Sequence, residues 1–347
     1  MRAFVKGSSE PLDGEVRQVD PPRPGPGQVR LQVAACGICG SDLHALRSDP
    51  GFEWLAPPVT MGHEFAGTVV EVGDGVVDVE VGARVAAMSI QGCLDCAVCR
   101  RGTTQLCPSR VVVGLSYDGG LADEVVLPAR HLVAVPETVT LEHAAVAEPL
   151  SVAVRAVLHE PLVGPGDAVV VSGPGPIGLL SARLAQLGGG EVCVTGSPAD
   201  VDRRLAIASR WGMHTAVVGE REPAEVLGRE PDVWVEASGA APALRGAISA
   251  VRRGGAIVVV ALYADTFPFF ATEAVRKELT LRFSYASAHP EYVQALALLA
   301  DGSVDAAPLI DRFDLSDARD AFDAAYAGSA VKPLIVPSPG DGSKQAS

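Results

Sequence analysis

From Asp167 to Leu262 the chain repeats one unit: a short run of β-branched and apolar residues, a glycine-bearing turn, then a stretch with helical spacing. AVVVS (168–172) leads into PIGLLSARLAQLG, EVCVT (191–195) into VDRRLAIASRWG, DVWVEA (232–237) into PALRGAISAVRRGG, and AIVVVAL (256–262) follows. Strands apolar on both faces need cover on both faces, and intervening amphipathic helices supply it around a parallel sheet. No other feature narrows the fold as far. The expectation for this half is an α/β domain built on a doubly wound parallel sheet.

The rest of the chain has another texture. Up to about Pro136, short apolar runs such as VRLQVAAC (29–36), AGTVVEV (66–72), ARVAAM (83–88) and ADEVVLP (122–128) alternate with Gly, Pro and Asp turns, a β-rich pattern. LEHAAVAEPLSVAVRAVLHE (141–160) reads as helix interrupted at Glu148–Pro149, with Pro149 in the first turn of a new helix. The last 60 residues add two helical stretches and a strand, KPLIV (332–336), before a tail, PSPGDGSKQAS, of disordered composition. A length of 347 residues suits about two domains. A net charge of −14 would repel a phosphate backbone, and the chain has neither 18 consecutive apolar residues nor a signal-type apolar region. A soluble cytoplasmic protein is expected, with no nucleic-acid or membrane partner.

The strand AVVVS ends in Gly173-Pro174-Gly175-Pro176-Ile177-Gly178. A GxGxxG alone says little. Between a strand and a helix of a βαβ unit, it reads as the turn that lets backbone approach a dinucleotide's pyrophosphate at a helix N-terminus. The next strand should end in an acid when the adenosine ribose keeps its 2′-hydroxyl. EVCVT is followed instead by Gly196 and Ser197, then Asp200, Asp202, Arg203 and Arg204. A small residue in the acid's place removes repulsion against a 2′-phosphate, which Ser197 and Arg203 or Arg204 could bind. The reading favours NADP over NAD, and Gly196→Asp is expected to move the preference toward NAD.

GCLDCAVCRRGTTQLC (92–107) holds Cys93, Cys96, Cys99 and Cys107, spaced C-x2-C-x2-C-x7-C. In a reducing compartment, clustered thiols mean metal or catalysis rather than disulfides. The iron–sulfur pattern has a shorter last gap. A four-thiolate zinc site fits the loop better, and with no open coordination position it would stiffen the loop rather than catalyse. Other ligand types sit in AACGICGSDLH (34–44), with Cys36, Cys39, Ser41, Asp42 and His44, and in TMGHEFAG (60–67), with His63 and Glu64. Cys36–Cys39 could equally be a redox CxxC and His63 an ordinary histidine, so the residues alone leave a second metal open.

GICGSDLH, GHEFAG, the four-cysteine lobe, AEPLSVAVRAV and SGPGPIG occur in the order found in the zinc-dependent medium-chain alcohol/polyol dehydrogenase family, which the chain resembles over nearly its whole length. The resemblance implies a GroES-like catalytic domain from residues 1–150 and 286–347, with a structural zinc lobe near 92–108, and a Rossmann domain over 151–285. It implies two Zn2+ per chain: a structural ion on the lobe cysteines and a catalytic ion on Cys39 (not Cys36) and His63. Glu64 matches a carboxylate that ligates zinc in some members and neighbours it in others. Glu148 stands where many alcohol dehydrogenases carry a third ligating cysteine, and a glutamate there resembles the polyol, threonine and butanediol branches.

The same resemblance implies an NAD(P)-dependent oxidoreductase acting on a secondary alcohol, polyol or amino alcohol, interconverting it with the ketone. Zinc would act as Lewis acid on the hydroxyl, Ser41 would accept its proton, His44 would pass it to solvent, and hydride would reach the nicotinamide. RFSYA (282–286) departs from the pattern: Ser284 replaces an arginine of sorbitol dehydrogenase-like members, with Arg282 two positions earlier. Pocket-lining residues are sought among Phe52, Trp54, Tyr117 and Phe270. The resemblance also implies a homotetramer, with a dimer as the second option. Two rivals stand beside this reading. A zinc-free quinone or enoyl reductase lacks the Cys39, His63, Glu148 set, and a non-catalytic dinucleotide sensor has no need of Ser41 together with zinc ligands.

Overall fold

The computed structural model describes residues 1–263, 266–269 and 271–338. It divides into two compact units: Met1–Glu148 together with the chain from Ala288 onward, and Pro149–Ser287. Phe270 and the tail beyond Ser338 lie outside the described residues.

In the first unit the long strand Gln28–Gly37 is the spine. It pairs antiparallel with Glu64–Val72 along its length, with Glu124–Pro128 over its first half and with Lys332–Ile335 at its end. Arg84–Ala87, Leu132–Ala134 and Ile310–Phe313 complete a seven-stranded sheet. Val29, Leu31, Val33 and Ala35 alternate inward along the spine, the period expected of a half-buried strand. The first three join Leu46, Met61, Phe65 and Leu127 in a core closed by the stacked rings of Phe4 and Phe322, 4.9 Å apart, while Ala35 packs with Ala145 and Leu334. The late strand Lys332–Ile335 lies beside the spine's end, so residues nearly 300 positions apart in sequence meet there.

The second unit holds one six-stranded, all-parallel sheet. Its order is His214–Val217, Glu191–Gly196, Ala168–Ser172, Val233–Glu236, Ala256–Val259 and Thr280–Phe283. The first of these in the chain, Ala168–Ser172, is central and buried throughout, and the chain winds outward from it in both directions. Ligands in such sheets bind at the carboxyl ends of the strands beside that reversal.

Three local details differ from the sequence reading. Two edge strands, His214–Val217 and Thr280–Phe283, carry no continuous apolar run and were not expected. The helical stretch from Leu141 breaks at Val146 rather than at Glu148: helices Leu141–Ala145 and Ala147–Val157 flank it, and Pro149 sits in the first turn of the second. The stretch VDRRLAIASRWG begins as a π turn, Val201–Leu205, before the short α-helix Ala206–Arg210.

Candidate functional site

The spine strand runs out through Gly37 and Ile38 into Cys39, the N-cap of helix Gly40–Arg47. Asp42, three residues on, closes the first turn: its Oδ2 accepts the Cys39 backbone N–H at 2.9 Å. Asp42 is fully buried, and its other oxygen lies 3.2 Å from Nδ1 of His63. The contact is an ion pair by distance and lacks hydrogen-bond geometry, so Asp42 acts on the ring through its charge. Nε2 in turn lies 3.1 Å from the Ser41 hydroxyl oxygen. Burial works to lower the His63 pKa, but Asp42 and Cys39 outweigh it and hold it well above the ordinary histidine value.

Glu64 opens the next strand directly opposite Gly37. A Cβ on Gly37 would overlap the Glu64 carboxylate, so glycine there is what lets that carboxylate lie against the spine. Both its oxygens bind the Lys332 ammonium, at 2.8 and 2.5 Å, and Lys332 also donates to the Ile38 carbonyl at 3.1 Å. Burial alone would lower the Lys332 pKa, but the Glu64 charge reverses this and raises it.

Donor atoms of Cys39, His63 and Glu64 all lie within 4.8 Å of one another, largely shielded from water. A thiolate, an imidazole and a carboxylate at such separations form a donor set that suits zinc. Glu148, 7% exposed, falls outside this trio; its Oε1 accepts from the Ser89 hydroxyl at 2.7 Å. Burial first, then the Glu64 charge, push its carboxyl up to about 7. Cys36 is fully buried, its thiol directed at the Gly37 carbonyl and held well above the usual thiol pKa by burial. Such a thiol is a poor thiolate donor.

His44 projects from the same helix as Ser41, half-exposed, with Nδ1 2.7 Å from Asp49 Oδ2. Ser41 thus pairs with His63 and His44 with Asp49. Phe52 stacks on His44 at 6.0 Å and Trp54 on Phe52 at 6.2 Å, forming a ring ladder that ends in the half-exposed Trp54. Tyr117 packs instead against the β-rich core.

The four lobe cysteines form a second group. Sulfur–sulfur distances are 3.9 Å for Cys93–Cys99, 3.9 Å for Cys96–Cys107 and 3.6 Å for Cys93–Cys107. A tetrahedron with metal–sulfur bonds of about 2.3 Å has edges of about 3.8 Å. The spacing therefore suits one tetrahedral ion and is too tight to surround a four-iron cluster. Backbone N–H groups of Asp95 and Cys96 pull the Cys93 thiol down to about 6, while burial pushes Cys99 up to about 12.

In the second unit, Gly173 adopts φ +91° where the strand ends, and a Cβ there would lie 2.6 Å from the Ser238 Cα. Gly175 caps helix Pro176–Leu187, with Pro176 and Ile177 in its first turn. A Cβ on Gly178 would collide with the Gly173 carbonyl. The Ser238–Gly239 turn is itself fixed by Glu236, fully buried, which accepts from Ser238 N–H at 2.8 Å, Gly239 N–H at 3.2 Å and the Tyr263 hydroxyl at 2.5 Å. At the next strand end, Asp200 accepts from Ser197, and Arg204 lies within ion-pair distance of it, while Arg203 is exposed. Arg282 binds the carbonyls of Ala156 and Glu160, which makes it a brace at the end of helix Ala147–Val157.

The sequence reading named Asp42 only among zinc-ligand types and gave no role to Ser89, Glu236 or Lys332. Asp42 could have been found from its place three residues after a helix-capping Cys39. Lys332 carries no local signal.

The family model for alcohol dehydrogenase GroES-like domains matches residues 25–137, and that for zinc-binding dehydrogenases matches residues 176–301. The chain is 34% identical over 346 residues to a sorbitol dehydrogenase of Halalkalibacterium halodurans, covering 97% of this chain and 99% of the relative. It is 34% identical over 348 residues to an L-threonine 3-dehydrogenase of Streptomyces avermitilis, covering 96% and 99%. A solved structure from Sinorhizobium meliloti 1021, described as a zinc-binding dehydrogenase bound to NADP, is similar with a TM-score of 0.88 and 30% identity, over 97% of this chain and 99% of that one.

Proposed function

The chain belongs to the zinc-dependent medium-chain alcohol/polyol dehydrogenase family, and from that premise we propose how its own residues carry the reaction. It is an oxidoreductase that moves a hydride between an alcohol or polyol and NAD(P). Cys39, His63 and Glu64 or Glu148 would hold a catalytic zinc, and Cys93, Cys96, Cys99 and Cys107 a structural one. The observation that carries this is the buried trio of thiol, imidazole and carboxylate donors within 4.8 Å. Bound there, zinc supplies Lewis acidity toward a hydroxyl oxygen, and the nicotinamide supplies the hydride acceptor.

The protein's part is positioning and proton transfer. Asp42 fixes the Cys39 turn by a hydrogen bond and sets a carboxylate charge beside His63. Ser41, beside His63 Nε2, takes the proton given up by the substrate hydroxyl, and half-exposed His44 is the outward group that returns it to solvent. Lys332 holds both oxygens of Glu64, the carboxylate of the trio, and Glu148, outside it, is the second candidate ligand. Between the cofactors, the missing acid at Gly196 argues for NADP and the Asp200 carboxylate beside Ser197 argues for NAD. The substrate we propose is a secondary alcohol whose neighbouring carbons bear hydroxyl or amino groups, the chemistry common to sorbitol and threonine.

A homotetramer or dimer is the proposed assembly. Edge strand Thr280–Phe283 leaves one side of its ladder unpaired among the described residues, and Phe283 within it is 69% exposed. A reducing compartment, the cytoplasm, suits seven cysteines none of which is in a disulfide. Among the described residues no helix is long and apolar enough to cross a membrane.

The test combines metal analysis with a panel of polyols, secondary alcohols and amino alcohols, assayed with NAD and with NADP. Two zinc ions per chain are expected. Cys39→Ala should lose one ion and all turnover while still binding dinucleotide, whereas Cys96→Ala should lose the other ion and chiefly thermal stability. Full turnover by Cys39→Ala sinks the assignment.

A further inference from the structure

We propose that Asp200 decides between NAD and NADP in this chain, supplying from the turn the carboxylate that Gly196 omits from the strand end. The proposal rests on the dinucleotide reading of the second unit. Gly196 looks like an opening for a 2′-phosphate, but the space is filled. A Cβ on Gly196 would lie 2.9 Å from Cγ of Pro174 and 3.1 Å from Cβ of Asp200. Pro174 belongs to the glycine-rich loop, so Asp200 and that loop flank the same strand-end position. The chain is shaped to bring it there: a 3-10 turn over Pro198–Asp200 passes directly into the π turn Val201–Leu205. A π turn inserted into a helix often marks a functional site.

The Asp200 carboxylate is only 13% exposed and already engaged. Its Oδ2 accepts from the Ser197 N–H at 2.9 Å and the Ser197 hydroxyl at 2.7 Å, and its Oδ1 faces Arg204 Nη1 at 3.3 Å. These are the donors that would otherwise bind a 2′-phosphate. A phosphate arriving there must displace a carboxylate from its partners and lie against like charge. A 2′-hydroxyl meets neither obstacle. A carboxylate offers about four lone-pair sites, so three donors leave one for a ribose O–H. Asp200 therefore does the work of a strand-end acid, and the preference read from Gly196 and Ser197 alone is reversed: the chain takes NAD. It also follows that Gly196→Asp is a poor probe of cofactor choice, since its Cβ meets Pro174 before its charge can act.

Asp200→Asn removes the charge and keeps an oxygen for the Ser197 N–H. Dissociation constants for NAD, NADP and the fragment 2′,5′-ADP would be measured calorimetrically on the zinc-replete wild type, D200N, and D200N combined with Arg204→Leu. The wild type should bind NAD at least tenfold tighter than NADP. D200N should cut that ratio at least tenfold, mainly by tightening NADP and 2′,5′-ADP, and Arg204→Leu should cancel the gain. Asp200→Ser, which keeps a hydroxyl for the same N–H, carries the same expectation should D200N fail to fold. A ratio unchanged in D200N and D200S, or a wild type that prefers NADP, overturns the proposal while leaving the dinucleotide reading intact. A wild type that binds neither dinucleotide overturns both.

Discussion

Lys332 offers the sharpest test of how the β-rich unit holds its polar centre. Its ammonium is 2.5 and 2.8 Å from the two Glu64 oxygens, with the side chains 3% and 1% exposed. At an effective dielectric constant of about 20, unit charges at that separation attract by about 6 kcal/mol, part of which offsets the dehydration of both ions. Lys332→Met removes the cation and keeps most of the volume, leaving Glu64 buried without its partner. Breaking one side of a buried pair costs about 3–5 kcal/mol. In a unit of about 200 residues each kcal/mol moves the melting temperature by about 2–4 °C, so the unit's transition should fall by about 10 °C. Scanning calorimetry would follow it. Glu64→Gln combined with Lys332→Met removes both charges and should recover more than half of the loss. A fall below about 3 °C for the single variant, or a double variant no better than the single, would refute the reasoning.

Two further outcomes follow from particular contacts. Gly178→Ala places a methyl group against the Gly173 carbonyl, so dinucleotide affinity should drop at least tenfold while the zinc content of the first unit stays at the wild-type level; equal affinity by titration would show that the turn can yield. His131 is buried beside Arg130, and burial first, then the Arg130 charge, push its pKa down to about 4. An unfolded histidine titrates near 6.5, so the unfolded state binds the extra proton; the stabilisation is full above about pH 6.5 and lost as pH falls to about 4, a change of about 3 kcal/mol. Melting curves of His131→Gln should therefore be flatter than wild type across that window, and parallel curves would count against it.

The two halves of the chain were unequally legible. Strands such as Ala168–Ser172 announce themselves because burial on both faces forces an unbroken apolar run. The edge strands His214–Val217 and Thr280–Phe283 escape the same test because one side of each faces away from the sheet's interior, so Arg282 and His214 can sit in them. The metal-ligand types could be read from two short motifs because a helix cap and a strand start bring Cys39 and His63 into place locally. What lies behind those residues could not. Lys332 acts across 268 positions, and sequence spacing carries no trace of a contact made by a strand returning from the far end of the chain. Asp200 is a further case: Ser197 and Arg204 stood in the sequence as candidate phosphate donors, and their contacts to the Asp200 carboxylate leave no local trace there.

Charge explains how the first unit holds several buried ionisable groups together. Asp42, Glu64 and Glu148 are three buried carboxylates of this unit, and His63 faces Asp42 while Lys332 binds Glu64. Burial should lower the pKa of a histidine and of a lysine, yet His63 and Lys332 both rise, so the surrounding negative charge outweighs the loss of water. Glu148 is pushed up to about 7 by its burial and the Glu64 charge together. Every one of these shifts runs toward taking up positive charge. The ions pair evenly, Asp42 with His63 and Glu64 with Lys332, while Glu148 is pushed toward its neutral form, so charge alone does not call for a metal. What favours zinc in the proposed reading is the donor set: a thiol, an imidazole and a carboxylate within 4.8 Å of one another, the types zinc selects.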